Sequence, residues 1–313
     1  MPILPILLAV TVATPPLPPL PQRPFAELKP AATLVLGKTA DWVQVADGSV
    51  WVAASGPFAL YRIEPGAAKV IATIPLPGVA CAGLAVGFGA VWAPICGDKP
   101  ALARIDTATN ALTLLPGAPG VEEGGLAASE DSLWIPADHK GGLQRVDPKD
   151  GHVRQTVQVC EGGENPLFAA GIVWITCNAG AGVDRVDARD GRLLGHIATG
   201  PKPRFLASDG RSVWTLNQGD GSVTRIDIAT GTVVATIDAR TPGHGGDIQA
   251  GGGKVWTTLA DTPLTLIDAQ TNRVERQWTG PGGDSLNFGF GAVWLTDYHK
   301  GLVQKFPVGD LTR

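Results

Sequence analysis

Histidines and carboxylates that could perform acid–base or metal chemistry are concentrated in two stretches of the C-terminal third. His244 and Asp247 belong to the first stretch, and Asp284, Asp297 and His299 belong to the second. Carboxylate oxygens are preferred ligands of hard divalent cations, and an imidazole can act as a general base near neutral pH. If the fold brings these residues together, the three aspartates could hold a metal ion while His244 or His299 moves a proton.

A second group of polar residues, from the middle of the chain, is suited to ligand recognition. Its members are Glu123, Asp138, His139, Lys140, Glu164 and Arg204. A mixture of charges on neighbouring loops can hold a ligand through charge-assisted hydrogen bonds. The sequence leaves open a simpler interpretation of both groups, in which they are solvated loop residues, because most charged side chains are exposed without having a function.

The spacing of the tryptophans indicates which elements carry these residues. Seven tryptophans, each preceded by an aliphatic residue, recur at intervals of 38 to 42 residues: Trp51, Trp92, Trp134, Trp174, Trp214, Trp256 and Trp294. A period near 40 residues is typical of one blade of a β-propeller. The sequence therefore predicts an all-β protein with the fold of a seven-bladed β-propeller.

Each copy of the repeat resolves into four strands. In the fifth copy Arg225 follows Trp214 by eleven residues, and turns are marked by Asp-Gly at 209–210 and Thr-Gly at 230–231. Asp side chains bond local backbone amides and Gly accepts positive φ, so these pairs favour tight turns. Because residues present in every repeat serve the repeat, we expect each Trp to pack between blades and each Arg to bridge strands or blades.

The two ends of the repeat region predict how the ring closes. The seventh copy stops after three strands, whereas an additional strand-like segment at residues 32–36 precedes the first copy. A propeller closes so that no strand edge is left exposed. We therefore predict that the N-terminal strand completes the last blade, in one domain covering residues 25–313.

Residues 1–24 are predicted to lie outside that domain. The apolar run at residues 3–13 resembles a signal peptide without its basic start, and a disordered apolar tail is the alternative. The run is too short to span a bilayer. Residues 14–24 are rich in proline and are expected to form a spacer without a fixed fold.

The four cysteines occur as two similarly placed pairs. Cys81 and Cys96 are 15 residues apart around Trp92, and Cys160 and Cys177 are 17 residues apart around Trp174. Such repetition predicts two disulfides formed in an oxidising compartment, whereas a zinc site would require closer cysteines or nearby histidines. We expect a periplasmic or secreted bacterial protein.

Charge and topology narrow the class of partner. The net charge is −4 and no run of basic residues is present, which argues against nucleic acid. In a propeller, the loops leading into the innermost strands share one face with the loops between the second and third strands. These loops vary most between copies and carry the polar groups above. The leading prediction is therefore a non-catalytic, monomeric recognition module that binds a small molecule, peptide or protein on this face.

The blade pattern Gly-x-Val-Trp, Arg-Ile-Asp and Thr-Gly resembles seven-bladed propellers with YVTN, NHL or YncE-like repeats over residues 32–313. Among enzymes it is most similar to the streptogramin B lyases (the virginiamycin B lyase family), and the segment 294–299 is the best counterpart of their motif. The resemblance implies elimination that opens a cyclic depsipeptide at its ester, assisted by Mg²⁺. It would make His244 the base and place Asp297 and Asp284 near the metal. A lactone or ester hydrolase on the same face is a third alternative.

Overall fold

Seven antiparallel blades surround a central axis in the computed structural model, which describes residues 19–117 and 120–313. The innermost strands of successive blades contact one another around the whole ring, and blade seven returns to blade one. This confirms the prediction of an all-β, seven-bladed propeller. The predicted signal segment at residues 3–13 lies outside the described residues. Among the described residues, no helix is both long and apolar enough to cross a membrane.

The strands of each blade are denoted A to D from the axis outward. Two short strands precede the first blade: β1 (Gln22–Pro24) and β2 (Ala32–Val35). Blade one contains β3 (Thr39–Ala46), β4 (Ser49–Ser55), β5 (Ala59–Glu64) and β6 (Lys69–Pro75). Blade two contains β7 (Ala85–Gly87), β8 (Ala90–Ile95), β9 (Ala101–Asp106) and β10 (Leu112–Leu115). Blade three contains β11 (Ala127–Ala128), β12 (Leu133–Pro136), β13 (Gly142–Val146) and β14 (Val153–Gln158).

The remaining blades follow the same plan. Blade four contains β15 (Gly163–Ala169), β16 (Ile172–Cys177), β17 (Gly182–Asp187) and β18 (Leu193–Ala198). Blade five contains β19 (Pro203–Ser208), β20 (Ser212–Asn217), β21 (Ser222–Asp227) and β22 (Thr232–Asp238). Blade six contains β23 (Asp247–Gly251), β24 (Lys254–Leu259), β25 (Thr262–Asp268) and β26 (Arg273–Thr279), and blade seven contains β27 (Leu286–Gly289), β28 (Ala292–Asp297) and β29 (Leu302–Pro307). The short helices are Phe25–Glu27, Tyr298–Lys300 and α1 (Val308–Leu311).

The repeated tryptophans and arginines stabilise the contacts within and between blades. All seven tryptophans lie on B strands and are completely buried. In blade five the Arg225 guanidinium stacks over Trp214 at 4.7 Å and donates to Ser212 Oγ at 2.8 Å. It also donates to the carbonyl oxygen of Ala269, in blade six, at 2.7 Å. The arginine therefore bridges both strands and blades, as its repetition predicted.

The ring is closed by the N-terminal strand. Strand β2 pairs antiparallel with β29, so that Thr33 lies opposite Gln304 and Leu34 lies opposite Val303. This confirms the predicted completion of blade seven. The proline-rich spacer differs from expectation in part, because Gln22–Pro24 adds a parallel fifth strand to β26 of blade six. Proline is tolerated there because an edge strand can dispense with one N–H donor.

Both predicted disulfides are present. Cys81 bonds to Cys96 and Cys160 bonds to Cys177, with Cα–Cα distances of 5.7 and 5.6 Å. Each bond links the loop before an A strand to the B strand beside it. Cys177 is the last residue of its B strand, and Cys96 directly follows the last residue of its B strand. The two bonds indicate an oxidising, extracellular environment.

Candidate functional site

The DA loops, which lead into the A strands, and the BC loops surround a cavity of about 650 Å³ on one face of the propeller. Blades one, six and seven contribute much of its wall. His244 lies before strand β23, Asp297 is the last residue of β28, and His299 follows it. Glu123, in the loop before blade three, and Arg204, on strand β19 of blade five, also line it. The fold therefore places residues from both predicted groups around one cavity.

Two aromatic side chains form the floor of this cavity. The rings of Trp42 and Phe205 lie 6.5 Å apart at a tilt of 53°. Both also line a second cavity of about 270 Å³, deeper along the axis. The backbone of Gly83 passes close to the Trp42 indole, since a Cβ added there would lie in van der Waals contact with the ring.

Four charged residues share one position in the repeat, and three of them, Asp41, Arg204 and Asp284, line the cavity. Asp41, Glu164, Arg204 and Asp284 each lie ten residues before the buried Trp of their own blade. In the other three blades this position is occupied by Ala82, Gly124 and Gly246. Asp41 was not predicted from the sequence, although the shared interval to Trp51 is a signal that could have identified it.

Asp41 and Asp284 share a hydrogen bond at the edge of the cavity. Burial, followed by repulsion from Asp284, holds the pKa of Asp41 well above its usual range. Burial also raises the pKa of Asp284, although the hydrogen bond from Asp41 favours its ionised form. The hydrogen bond between them favours the protonated form of Asp41 and the ionised form of Asp284.

Asp247 lies deeper, against the second cavity. Its carboxylate accepts from Ser285 Oγ at 2.9 Å and from the amides of Ile248 and Leu286 at 2.8 and 3.4 Å. Burial nevertheless raises its pKa to about 7. Asp247 therefore does not share the upper cavity with Asp284 and Asp297, and it is held by protein donors.

Arg204 connects three of the residues predicted to bind a ligand. Its Nη2 lies 3.1 Å from Glu123 Oε2, and its Nη1 lies 3.5 Å from Glu164 Oε2. His139 Nδ1 lies 3.7 Å from the other oxygen of Glu164. The Glu164 side chain is only 8% exposed, so Arg204 supplies the charge that compensates a buried carboxylate.

Asp138 and Lys140 do not line the cavity. The Asp138 carboxylate accepts from the backbone amides of Lys140 and Gly142 at 2.8 and 3.0 Å. The hydrogen bond from Gly142 is the main cause that lowers the pKa of Asp138. These contacts give Asp138 the role of closing a turn.

Asp297 is similarly engaged by its own loop. Its oxygens accept from the backbone amide of Lys300 at 3.2 Å and from Lys300 Nζ at 2.7 Å, and the side chain caps the helix Tyr298–Lys300. That helix carries His299 to the cavity wall. The Tyr298 ring meets the His299 ring edge-on at 5.5 Å.

Metal-binding capacity is unevenly distributed among the carboxylates. Asp284, and Asp41 once it has lost its proton, could offer carboxylate oxygens to a hard cation such as Mg²⁺. The oxygens of Asp247 and Asp297 already accept from protein donors. Within residues 19–117 and 120–313, Asp247, Asp284 and Asp297 do not form a group with ligand atoms within 4.8 Å of one another. One group that does, Asp147 with Asp150 and His152, belongs to the turn between β13 and β14.

Comparisons with known proteins identify the fold alone. No protein-family model matches the chain, and no curated protein matches it. Among solved structures it is similar to the crystal structure of the computationally designed Ika8 protein, with a TM-score of 0.64 and 16% identity over 86% of this chain and 83% of that chain. This identity supports the architecture and carries no information on activity.

Proposed function

We propose that this protein is an exported recognition module that binds a small polar molecule, or the end of a peptide, through a positively charged group. The observation that carries the proposal is the carboxyl pair Asp41–Asp284 beside an aromatic floor, in a cavity of about 650 Å³. Ligand pockets range from about 300 to 1,000 Å³. The two disulfides support export to the periplasm or the cell exterior.

The charges around the cavity favour a cationic ligand. Glu123 repels both members of the carboxyl pair electrostatically, so the negative charge of Glu123 and that of the pair act on the same space. The Arg204 guanidinium is already paired with Glu123 and Glu164. An ammonium or guanidinium group could satisfy Asp284, and the face of Trp42 can add a cation–π contact worth about 1–2 kcal/mol when water is excluded.

Calorimetric titration with small probes tests this proposal. We expect tetramethylammonium, a primary diamine or guanidinium to bind, whereas acetate does not. Asp284→Asn should weaken binding of the cation at least tenfold, because one ionic contact is lost. Asp150→Asn, on the exposed turn between β13 and β14, is the matched control and should change nothing. Equal binding by wild type and Asp284→Asn, or no binding of any cation, would contradict the proposal.

A second candidate function is the elimination reaction implied by the resemblance to streptogramin B lyases. The observation that favours it is that His244, His299, Asp284 and Asp297 line the same cavity. Asp41 and Asp284 would hold Mg²⁺, which would polarise the ester carbonyl when bound. His299, beside Asp284, or His244 would accept the α-proton of the substrate. If a cyclic depsipeptide is opened in the presence of Mg²⁺ and His299→Ala and His244→Ala both retain that activity, neither histidine is the base.

A further inference from the structure

The disulfide of blade four is surrounded by groups that can bind a metal. The sulfur atoms of Cys160 and Cys177 and a carboxylate oxygen of Asp184 all lie within 4.8 Å of one another. The Asp184 side chain is only 6% exposed. Its Oδ2 accepts from the backbone amide of Cys160 at 2.8 Å, which fixes the carboxylate beside the sulfur atoms.

A fourth donor comes from the outer strand. His196 on β18 lies opposite Asp184 in the register, and its Nδ1 is 2.7 Å from Asp184 Oδ1 and 3.8 Å from Cys177 Sγ. A Cβ at Gly182 would lie 2.1 Å from His196 Nε2. The glycine therefore leaves the space in which the imidazole lies, and any larger residue would displace it.

The disulfide of blade two lacks these neighbours. At the position that corresponds to the Asp184–His196 pair, Ala103 lies opposite Leu114. Neither side chain has a group that can ligate a metal or exchange a proton. A requirement for a stable disulfide therefore does not explain Asp184 and His196, since Cys81–Cys96 forms without them.

We propose that Cys160, Cys177, Asp184 and His196 form a zinc site when this disulfide is reduced. Thiolate, imidazole and carboxylate are the ligands that Zn²⁺ takes in tetrahedral sites. With bond lengths of about 2.0–2.3 Å, ligand atoms in such a site lie about 3.3–3.8 Å apart. The 3.8 Å between His196 Nδ1 and Cys177 Sγ already falls in this range, and Asp184 and His196 need to separate by about half an ångström to reach it. The two sulfur atoms must also move apart after their bond breaks, and His196, which lies outside the group within 4.8 Å, must shift toward the other ligands.

The two forms of the site exclude each other. A dithiol reductant supplies two electrons and two protons, the sulfur–sulfur bond breaks, and Cys160 and Cys177 become thiols while the reductant becomes a disulfide. Binding of Zn²⁺ then releases both thiol protons to solvent. The amide of Cys160 remains bonded to Asp184 Oδ2 and orients the carboxylate that ligates through Oδ1.

Spectroscopy with Co²⁺, which replaces Zn²⁺ in tetrahedral sites, tests the proposal. The full chain is used as the double variant Cys81→Ser, Cys96→Ser, so that the only thiols are those of blade four. After reduction we expect one equivalent of Co²⁺ to bind with thiolate charge-transfer absorption, and Zn²⁺ to displace it. Asp184→Asn and His196→Ala should each weaken Zn²⁺ binding at least tenfold. The unreduced protein should bind neither ion.

The reciprocal variant separates this site from nonspecific binding. In Cys160→Ser, Cys177→Ser the reduced Cys81 and Cys96 remain, and no charge-transfer absorption is expected. Absorption in this variant, or its absence in the first variant, would overturn the proposal, as would equal Zn²⁺ affinity after Asp184→Asn and His196→Ala. Circular dichroism follows folding throughout. Unfolding on reduction that Zn²⁺ does not reverse would also overturn it.

Discussion

Asp247 shows how burial can outweigh hydrogen bonds in setting the pKa of a residue in this protein. Its carboxylate accepts hydrogen bonds from Ser285 and Leu286, which favour ionisation, yet burial raises its pKa to about 7. An aspartate in an unfolded chain has a pKa of about 3.9. The folded state therefore binds a proton more tightly than the unfolded state between about pH 4 and 7. The contribution of Asp247 to stability is full below pH 4 and is lost as the pH rises through 7.

Replacing Asp247 with Asn removes this titration. The wild type should lose about 2–3 kcal/mol more unfolding free energy than Asp247→Asn between pH 5 and pH 8. Denaturant unfolding at the two pH values measures the difference. Asn supplies one acceptor oxygen in place of two, and this difference offsets the stability of the variant by the same amount at both pH values. Only the difference in slope between the two proteins is therefore diagnostic. Parallel pH profiles would show that Asp247 is ionised throughout.

The residue scale also shows why part of the site escaped sequence analysis. His244, Asp284 and His299 were predicted to be neighbours, and they line one cavity together with Arg204. Asp41 was missed because it lies within the A strand Thr39–Ala46 and not in a loop. The charge and loop position of Asp138 favour ligand binding, but its carboxylate accepts hydrogen bonds from the amides of Lys140 and Gly142 and stabilises a turn. Residue type alone cannot distinguish a cavity carboxylate from one that caps backbone amides.

At the scale of the blade, the stacked Arg is the contact that joins one element to the next. Arg62, like Arg225, donates to a Ser hydroxyl in its own blade and to a carbonyl oxygen in the following blade, here that of Thr107. In blade seven Lys305 takes this role and donates to the Pro65 carbonyl oxygen of blade one. Blade six has Leu266 at the corresponding position, opposite Trp256, so the contact is not repeated there.

Arg225→Leu should cost about 2 kcal/mol of unfolding free energy. The substitution leaves the Ala269 carbonyl oxygen and Ser212 Oγ without their charged donor, and hydrogen bonds to charged groups contribute about 1.5–3 kcal/mol. Chemical denaturation provides the measurement. Arg211→Leu, an exposed change on the neighbouring turn, should remain within about 0.5 kcal/mol of wild type. Similar stability of the two variants would remove the bridging role from Arg225.

Strands and disulfides were predictable because short-range signals determine them. The Trp interval and the Asp-Gly turns located the four strands of blade five, and the repeated placement of the cysteines predicted both bonds. Strand β1 was not predictable in this way. It pairs with β26, which lies 255 residues further along the chain, and the Gln22 side chain donates to the Gln277 side chain at 3.0 Å. Composition cannot reveal such a contact.

For the whole molecule, closure through β2 is the contact that turns seven repeats into a ring. Without this strand, β29 would have an unpaired edge, and the apolar side chain of Leu36 would lose its buried site. A closed ring shares its stability among all blades, whereas an open one behaves as a linear array that can separate from one end.

Deleting residues 1–36 should lower the unfolding midpoint by at least 10 °C or cause aggregation, whereas deleting residues 1–24 should cost only a few degrees. The longer deletion removes the β2–β29 pairing, whereas the shorter one leaves β2 in place and removes β1 among the described residues. In a domain of this size, such a shift of the midpoint corresponds to a loss of unfolding free energy on the order of several kcal/mol. Differential scanning calorimetry measures both. A peptide of residues 25–38 added in trans should restore the truncated protein, and equal stability of the two deletions would refute closure by β2.

The rings of Trp42 and Phe205 line both cavities, and their centroids lie 6.5 Å apart. A molecule that moved from the upper cavity to the second would therefore pass these two rings. A macromolecule bound over the loop face would cover the mouth of the upper cavity and slow entry and exit through that face by the same factor. The residence time of a molecule inside would then increase without a change in occupancy.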